Sequence, residues 1–153
     1  MLEIRQFMDA DLASVWELHR LALTPTGAYL GDGHWNEDLL DITNHYLKNR
    51  GEFLVGLLDN RIVCMGAFRK KSETLAEIKR MRVLPDYQRR GFGQTIMNKL
   101  ELKALQLGYS ELILDTTTKQ IAAQQFYEKN GFVESGRGKF EEFELIFYRK
   151  KLK

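Results

Sequence analysis

A glycine-rich turn between a strand and a helix constrains this chain more than any other feature. The stretch Gln88-Arg89-Arg90-Gly91-Phe92-Gly93 follows a strand pattern over residues 75–84 and precedes a helix predicted to reach about Gln106. The two glycines permit backbone conformations that other residues resist and leave no side chain in the way. Successive N–H groups, together with the donors and dipole of the helix N-terminus, can then form a cradle for a pyrophosphate. A plain turn, in which glycine only permits the bend, is the alternative.

The composition of this turn separates it from two common phosphate-binding motifs. It is not a Walker A loop, and it is not a dinucleotide-binding G-x-G-x-x-G motif, because position 96 is isoleucine. Arg89 and Arg90 add positive charge beside the glycines, and guanidinium groups suit phosphate oxygens. If the turn binds a phosphorylated ligand, these residues indicate a ligand of another kind, and a plain turn stays the alternative.

Hydrophobic periodicity predicts the elements that precede this turn. Residues 2–7 alternate as a strand does, and the helix that follows carries Leu12, Val15, Trp16 and Leu18 on its apolar face. Residues 24–35 hold three glycines and a proline and predict a loop, after which Asn36 is expected to begin a second helix. The apolar runs 53–58 and 62–68 flank Asp59-Asn60-Arg61, which is typical of a β-hairpin.

The remaining elements follow the glycine-rich turn. A short apolar run at residues 112–114 predicts a buried strand, and residues 119–129 predict a helix that Asn130-Gly131 ends. Strands at residues 132–134 and 143–148 close the chain. The order is β-α-α-β-β-β-α-β-α-β-β, which is seven strands and four helices. Hairpins beside β-α-β units indicate the α+β class with a mixed sheet.

Composition excludes several classes of protein. A chain of 153 residues is expected to form a single domain over residues 1–153. The 23 basic and 21 acidic residues nearly balance, which argues against a nucleic-acid partner. The sequence shows no signal peptide and no apolar run near the roughly 20 residues of a membrane helix, so we expect a cytoplasmic protein without a membrane partner. Cys64 is the only cysteine, which excludes an internal disulfide and a thiolate zinc cluster.

Several segments together resemble the GNAT superfamily of N-acetyltransferases. The string Gln88-x-x-Gly91-x-Gly93 after Val83-Leu84-Pro85 is similar to the acetyl-CoA signature of that family. Residues 76–83 resemble its fourth strand, residues 123–132 the segment after its fifth strand, and residues 4–12 its usual opening. The resemblance implies the GNAT-like acyl-CoA N-acyltransferase fold, a three-layer α/β arrangement within the α+β class. In that fold a mixed, mostly antiparallel, twisted seven-stranded sheet is flanked by four helices.

The resemblance also implies acetyl-CoA as co-substrate, and no metal. Acetyl-CoA would lie in a splay between the fourth and fifth strands, with the backbone of Met81 and Val83 on the pantetheine arm. Many members carry asparagine where this chain has Gln120, whose longer amide puts that contact in doubt. Lys129 is assigned to the 3′-phosphate or adenine end, although a solvated lysine at a helix end is an equal alternative. The implied cofactor-binding residues are Met81, Arg82, Val83, Gln88, Arg89, Arg90, Gly91, Phe92, Gly93, Gln94, Gln120, Tyr127 and Lys129.

Two residues are assigned catalytic roles by the same resemblance. Tyr127 matches the family's general acid, which would protonate the leaving thiolate; packing against the cofactor is its alternative role. Glu77 matches the general base of the family's histone acetyltransferases, and an ion pair with Lys79 or Arg80 is its alternative. Strand alternation places Glu77, Lys79 and Met81 on one face. A water or backbone carbonyl could also serve in place of a base.

The implied activity is transfer of an acetyl group from acetyl-CoA to a primary amine of a small molecule or peptide by direct attack. Tyr29, His34 and Trp35 are expected near the acceptor, because the loop at residues 24–35 precedes the second helix and that region walls the acceptor pocket in the family. A non-catalytic acyl-CoA sensor or scaffold of the same fold, and a transferase of longer acyl groups, are the alternatives. Exposed edge strands near the C-terminus make a homodimer plausible.

Overall fold

Seven strands form one sheet in the computed structural model, which describes residues 1–31 and 33–152. Three α-helices and several short 3₁₀ or π turns connect the strands. The strands are β1 (Glu3–Gln6), β2 (Glu52–Leu58), β3 (Arg61–Lys70), β4 (Leu75–Val83), β5 (Glu111–Thr117), β6 (Val133–Phe140) and β7 (Phe143–Lys151). The helices are α1 (Leu12–Leu23), α2 (Phe92–Gln106) and α3 (Ile121–Lys129). Over the described residues, no helix combines the length and apolar composition that crossing a membrane requires.

The strand order across the sheet is β1-β2-β3-β4-β5-β7-β6. β4 and β5 run parallel, and the other neighbouring strands run antiparallel. The predicted mixed, mostly antiparallel sheet of seven strands is therefore confirmed. The hairpin between β2 and β3 is confirmed as well, since Asp59 and Asn60 form a two-residue turn with positive φ angles of 51° and 65°.

The second predicted helix has a different form. In its place a 3₁₀ helix covers His34–Leu40 and a π turn covers Thr43–Leu47, with a non-helical backbone at Asp41 between them. Leu39, Ile42 and Tyr46 are buried, whereas Leu40 is exposed. Tertiary contacts of this segment, described below with the site, therefore override its helical periodicity.

A β-bulge interrupts β4 directly before the glycine-rich turn. Ala67 of β3 lies opposite Lys79, and Met65 lies opposite Arg82, so β4 contains one extra residue between these pairs. Arg80 is the extra residue, and its backbone has a φ of 59°. The predicted alternation of Glu77, Lys79 and Met81 on one face is therefore wrong beyond Lys79, because the bulge moves Arg82 onto the face of Lys79.

β4 and β5 separate after a short parallel pairing. The pairing joins Leu75–Glu77 to Glu111–Ile113 and ends there, although both strands continue. The sheet is thus open between the second half of β4 and the second half of β5. This is the splay that the resemblance implied, and the glycine-rich turn lies at its end.

Candidate active site

Two cavities meet at the splay between β4 and β5. The larger has a volume of about 670 Å³ and extends along the glycine-rich turn to α3. The smaller has a volume of about 360 Å³ and lies under the loop that follows α1. Four residues line both cavities and so form their junction: Leu23, Arg82, Gln120 and Tyr127. A long ligand in the larger cavity would present one end to a second molecule in the smaller cavity.

The glycine-rich turn presents unpartnered backbone donors to the larger cavity. Residues 92–94 are the first turn of α2, whose N–H groups have no partner inside the helix. Within the described chain, no other backbone or side-chain acceptor receives a hydrogen bond from the N–H groups of residues 89–94. Arg89 and Gly91 have positive φ angles of 65° and 82°, which turn these donors toward one region. Such an arrangement fits a pyrophosphate.

Nearly all the predicted cofactor-binding residues line the larger cavity. Arg90 is the exception, because its guanidinium stacks over the ring of Tyr87 at 5.0 Å and only its backbone N–H is available. The side chains of Gln94 and Asn130 bond to each other through both amide groups, which ties α2 to the end of α3. The set that lines the cavity comprises Met81, Arg82, Val83, Gln88, Arg89, Gly91, Phe92, Gly93, Gln94, Gln120, Tyr127 and Lys129.

Gln120 stands at the N-terminus of α3 and faces both cavities. Its Oε1 accepts hydrogen bonds from the hydroxyls of Thr116 and Thr117 and from the Thr117 backbone N–H, at 3.1 to 3.2 Å. The longer amide is thereby held against the end of β5. Its contact with a cofactor stays a prediction.

Tyr127 is buried at the junction, with its ring against those of Phe126 and Phe132. No side chain or backbone group in the described chain forms a hydrogen bond with its hydroxyl, which leaves that group for a ligand. Burial raises the pKa of Tyr127 to about 12, against a smaller lowering by the charge of Arg82. The hydroxyl is therefore protonated at neutral pH and acts as a donor.

Glu77 lies outside the lining of both cavities. Its side chain is buried, and its Oε1 accepts a hydrogen bond of 2.9 Å from Nε of Arg69 on β3. The ion pair weighed against a base role is therefore present, but with Arg69 instead of Lys79 or Arg80. The role of Glu77 as general base stays a prediction.

Asp115 on β5 is the carboxylate that faces the smaller cavity, opposite Lys79 of β4. Surrounding protein atoms displace bulk water and raise the pKa of Asp115, even though its side chain is exposed to the cavity, while Lys79 lowers it. Burial in turn lowers the pKa of Lys79. Sequence reasoning missed Asp115, because nothing in its local pattern distinguishes it from a surface residue at a strand end.

A buried ion pair anchors one wall of the smaller cavity. Arg80 donates to both carboxylate oxygens of Asp38, at 3.0 Å and 2.5 Å, and also to the carbonyl oxygen of Trp35. The hydroxyl of Tyr46 donates to the same carboxylate at 2.6 Å. Burial alone would raise the pKa of Asp38, but the hydrogen bond and charge of Arg80 hold it at about 2. These bonds join Trp35 and Asp38 to Arg80 of β4 and Tyr46 to Asp38, and they compete with one regular helix over residues 34–47.

Of the residues predicted near the acceptor, Trp35 lines the smaller cavity and Tyr29 does not. Trp35 lines the smaller cavity, with its indole N–H bonded to the carbonyl of Gly31. Tyr29 packs its ring against His19, which does line the cavity. The side chain of His34 lies outside the described part of the structure. Contact of any of these residues with an acceptor stays a prediction.

The fold, the splay between β4 and β5 and the glycine-rich turn match one family of known proteins. A sequence model of the Acetyltransferase (GNAT) family matches residues 12–132. The chain belongs to this family. The resemblance drawn from the glycine-rich turn and its flanking segments is thus confirmed.

Two curated relatives are about a third identical to this chain over the segments that align. Human N-acetyltransferase 8 is 32% identical over 78% of this chain and 59% of its own length. N-acetylaspartate synthetase of Xenopus tropicalis is 34% identical over 65% of this chain and 37% of its own length. The chain therefore spans between about a third and three fifths of these curated relatives.

Solved structures confirm the fold over the whole chain. A GNAT-family acetyltransferase from Staphylococcus aureus Mu50 superposes with a TM-score of 0.92 at 22% identity, with full coverage of both chains. The PaiA N-acetyltransferase of Thermoplasma acidophilum, solved in complex with coenzyme A, has a TM-score of 0.81 at 20% identity over 99% of each chain.

Proposed function

We propose that this chain transfers the acetyl group of acetyl-CoA to a primary amine of a small molecule or peptide. The observation that carries the proposal is the meeting of two cavities at Tyr127, one of which is lined by the free N–H groups of the glycine-rich turn. A relative named N-acetylaspartate synthetase supports the small-molecule class of acceptor.

The residues of the larger cavity fit coenzyme A. The N–H groups of residues 89–94 would hold the pyrophosphate, and Lys129 would meet a phosphate at the adenine end. Met81, Val83 and Phe126 supply an apolar wall for the pantetheine arm. Acetyl-CoA supplies a thioester, whose carbonyl carbon an amine can attack.

Residues at the junction would assist the proton transfers of this reaction and stabilise its leaving group. The attacking amine loses a proton as its nitrogen bonds to the acetyl carbon, and the sulfur leaves as a thiolate that takes a proton from solvent after the carbon–sulfur bond has broken. Tyr127 would donate a hydrogen bond to the departing sulfur. Because the pKa of Tyr127 is raised to about 12, well above the roughly 8.5 of a thiol, complete transfer of its proton is uphill. Its main contribution is therefore to stabilise the developing thiolate.

A covalent cysteine intermediate has no support in this structure. Cys64, the single cysteine, is fully buried in β3 and lines neither cavity. Burial raises the pKa of its thiol to about 12, so the thiolate that would act as nucleophile is suppressed. Direct attack of the amine on the thioester follows as the proposed route.

The amine proton would go to Asp115, directly or through a water, in preference to the Glu77 of the sequence prediction. Asp115 faces the acceptor cavity, whereas Glu77 is paired with Arg69. The pKa of Asp115 is raised above its ordinary value, so its basic form is lost as the pH falls through that raised pKa. We expect Asp115→Asn to lower kcat about 100-fold and to flatten the acidic limb of the pH–rate profile.

The matched variant for this test is Glu77→Gln, which removes the carboxylate that the sequence predicted as the base. We expect its pH–rate profile to run parallel to that of the wild type. Rates are measured by thiol release from pH 5 to 9. A flattened limb in Glu77→Gln together with a parallel profile in Asp115→Asn would return the base role to Glu77.

Two other functions share this fold and are separated by simple measurements. A sensor or scaffold would bind acyl-CoA without turnover, and a transferase of longer acyl groups would prefer longer donors.

The cytoplasmic location and the homodimer also remain proposals. β6 lies at the sheet edge beyond β7, where it could pair with a second copy of the chain. Light scattering at several protein concentrations tests the dimer.

Binding of the donor is tested by thermal denaturation with acetyl-CoA, CoA or ATP. We expect acetyl-CoA and CoA to stabilise the fold by about 2.7 kcal/mol at a hundred times the dissociation constant, and ATP to have much less effect. Absence of a shift with acetyl-CoA and CoA would remove the basis of the proposed function.

Gly93→Ala is expected to weaken acetyl-CoA binding about 10- to 100-fold while leaving the fold intact. A Cβ at Gly93 meets Val83 and Phe126 at 3.7 and 3.8 Å, which is ordinary contact, but both neighbours line the larger cavity. Alanine within a helix also favours stability by up to about 1 kcal/mol. Calorimetric titration with acetyl-CoA measures the effect.

The control for that variant is Gly136→Ala in β6. Its added methyl group would meet Phe147 at the same 3.7 Å but outside both cavities. We expect its affinity for acetyl-CoA to equal that of the wild type. Equal affinities for Gly93→Ala and the wild type would contradict the proposed approach of the cofactor to this turn.

A further inference from the structure

Arg82 has a buried donor atom that no group in the described chain bonds. Its Nη1 donates to the carbonyl of Met81 at 2.8 Å, while its Nε is buried without any hydrogen-bond partner. No carboxylate in the described chain forms an ion pair with it. Burial, and then the nearby charge of Arg80, lower the pKa of Arg82 to about 10. The guanidinium is thus cationic at neutral pH in a place that penalises an unpaired cation.

Arg80, another cation of the same cavity, is bound by both oxygens of Asp38, whereas Lys79 forms no ion pair in the described chain. The negative charges of Glu77 and Asp38 raise the pKa of Lys79, and the charge of Asp38 also acts on Arg82. Arg82 differs from both neighbours because its buried Nε has no hydrogen-bond partner. Because a guanidinium offers a planar fork of donors that matches a carboxylate, a ligand carboxylate is the natural partner for it.

The position of Arg82 decides where that carboxylate would lie. Arg82 lines both cavities, as does Tyr127, whose hydroxyl is placed for the sulfur of the donor. The charge of Arg82 is close enough to affect the pKa values of Tyr127 and His19. A carboxylate bound there lies beside the reacting centre, so only a few bonds can separate it from the attacking nitrogen.

We propose that Arg82 binds the carboxylate of the acceptor and that the acceptor is a free α-amino acid. This inference rests on the proposed acetyl transfer and narrows its substrate class. An α-amino acid has its amine and carboxylate on one carbon, as the position of Arg82 requires, whereas in a peptide the α-carboxyl group of the N-terminal residue is an uncharged amide. The rest of the smaller cavity, about 360 Å³, would accommodate the side chain.

A second unpartnered atom supports this orientation. Nδ1 of His19 is buried without a hydrogen bond, and His19 lines the smaller cavity. Burial, and then the charge of Arg82, lower the pKa of His19 to about 3, so its ring is neutral at neutral pH. A neutral imidazole beside Arg82 adds no second positive charge and offers polar contact to a small zwitterion.

The test compares amino acids with their α-amides as acceptors for the wild-type protein. L-Leucine, L-phenylalanine, L-aspartate and L-lysine are each paired with the corresponding α-amide, and kcat/KM is expressed per unprotonated amine. We expect at least one acid to be preferred over its amide by about 10- to 100-fold, as a lost charged hydrogen bond implies. Acetylation of amides or simple amines at rates equal to or above those of the acids would overturn the inference. No acetylation of any amine would instead count against the proposed function.

Variants of Arg82 test whether this residue causes the preference for an amino acid over its α-amide. Arg82→Met is expected to lower the ratio of kcat/KM for the preferred acid to kcat/KM for its amide about 10- to 100-fold, and cooperative thermal unfolding of the variant shows that its fold is intact. Arg82→Lys keeps the charge and should retain part of the preference. Arg137→Met, at an exposed arginine outside both cavities, is the control and should retain all of it. Loss of the preference in Lys79→Met but not in Arg82→Met would assign the carboxylate to Lys79 and overturn the inference.

Discussion

Tyr127→Phe is expected to lower kcat about 100-fold or more while leaving the affinity for acetyl-CoA nearly unchanged. The change removes one hydroxyl, which no group in the described chain bonds and which faces the junction of the two cavities. The ring contacts with Phe126, Phe132 and Tyr148 are retained, so the fold should be preserved. Thiol release at saturating acceptor measures kcat, and calorimetric titration measures the affinity.

Tyr148→Phe is the matched control for this variant. The hydroxyl of Tyr148 donates to Glu128 at 2.9 Å and lines neither cavity, so its loss should affect stability slightly and kcat not at all. If kcat of Tyr127→Phe equals that of the wild type, Tyr127 is only a packing residue. In that case, stabilisation of the leaving sulfur must come from another group at the junction.

Arg80→Met is expected to lower the free energy of unfolding by about 3–5 kcal/mol. Arg80 and Asp38 are buried, with 8% and 5% of their surfaces exposed, and the variant strands the carboxylate without its cation. Asp38 also accepts a hydrogen bond from the hydroxyl of Tyr46, so loss of Arg80 disturbs the whole segment that forms a wall of the smaller cavity. Urea denaturation at pH 7 measures the loss.

The pH dependence of this loss has a definite sign. In the wild type the pKa of Asp38 is about 2, below its unfolded value of about 3.8, so the pair contributes stability above pH 4 that is lost as the pH falls toward 2. Without Arg80, burial favours the protonated carboxyl, so the deficit of the variant should shrink as the pH falls from 7 to 4. A deficit independent of pH would contradict this account.

Two further variants calibrate the effect of Arg80→Met. Arg137→Met breaks an exposed pair with Glu134 and should cost less than about 1 kcal/mol. The double change Arg80→Met with Asp38→Leu removes both charges and should cost less than Arg80→Met alone. A double variant as unstable as the sum of its single changes would show that the two residues do not act as a pair.

Local signals in the sequence predicted the architecture and the cradle. The Asp59-Asn60 turn has the positive φ angles that these residue types tolerate, and Gly91 has a positive φ of 82° in the glycine-rich turn. The alternation and helical spacing of apolar residues then predicted seven strands in the right order. These features depend on neighbours in the chain, which is why they could be recognised without the structure.

Several features of the smaller cavity depend on contacts between distant segments, and for that reason the sequence did not predict them. The bulge at Arg80 leaves no mark in the pattern of β4, yet it reverses the alternation and brings Arg82 to the junction. Pairing of Glu77 with Arg69 requires the register of β3 on β4. The 3₁₀ and π turns at residues 34–47 follow from Asp38 reaching Arg80, 42 positions away in sequence.

The central claim is that the two cavities form one acetyltransferase site, and a coupled assay tests it most directly. Thiol release from acetyl-CoA is followed with a panel of amino acids and amines, while mass spectrometry follows the N-acetylated product. We predict thiol and acetylated amine in equal amounts with at least one acceptor, and a loss of both in Tyr127→Phe. Stabilisation of the protein by acetyl-CoA without product from any acceptor would contradict the claim and leave a binding module.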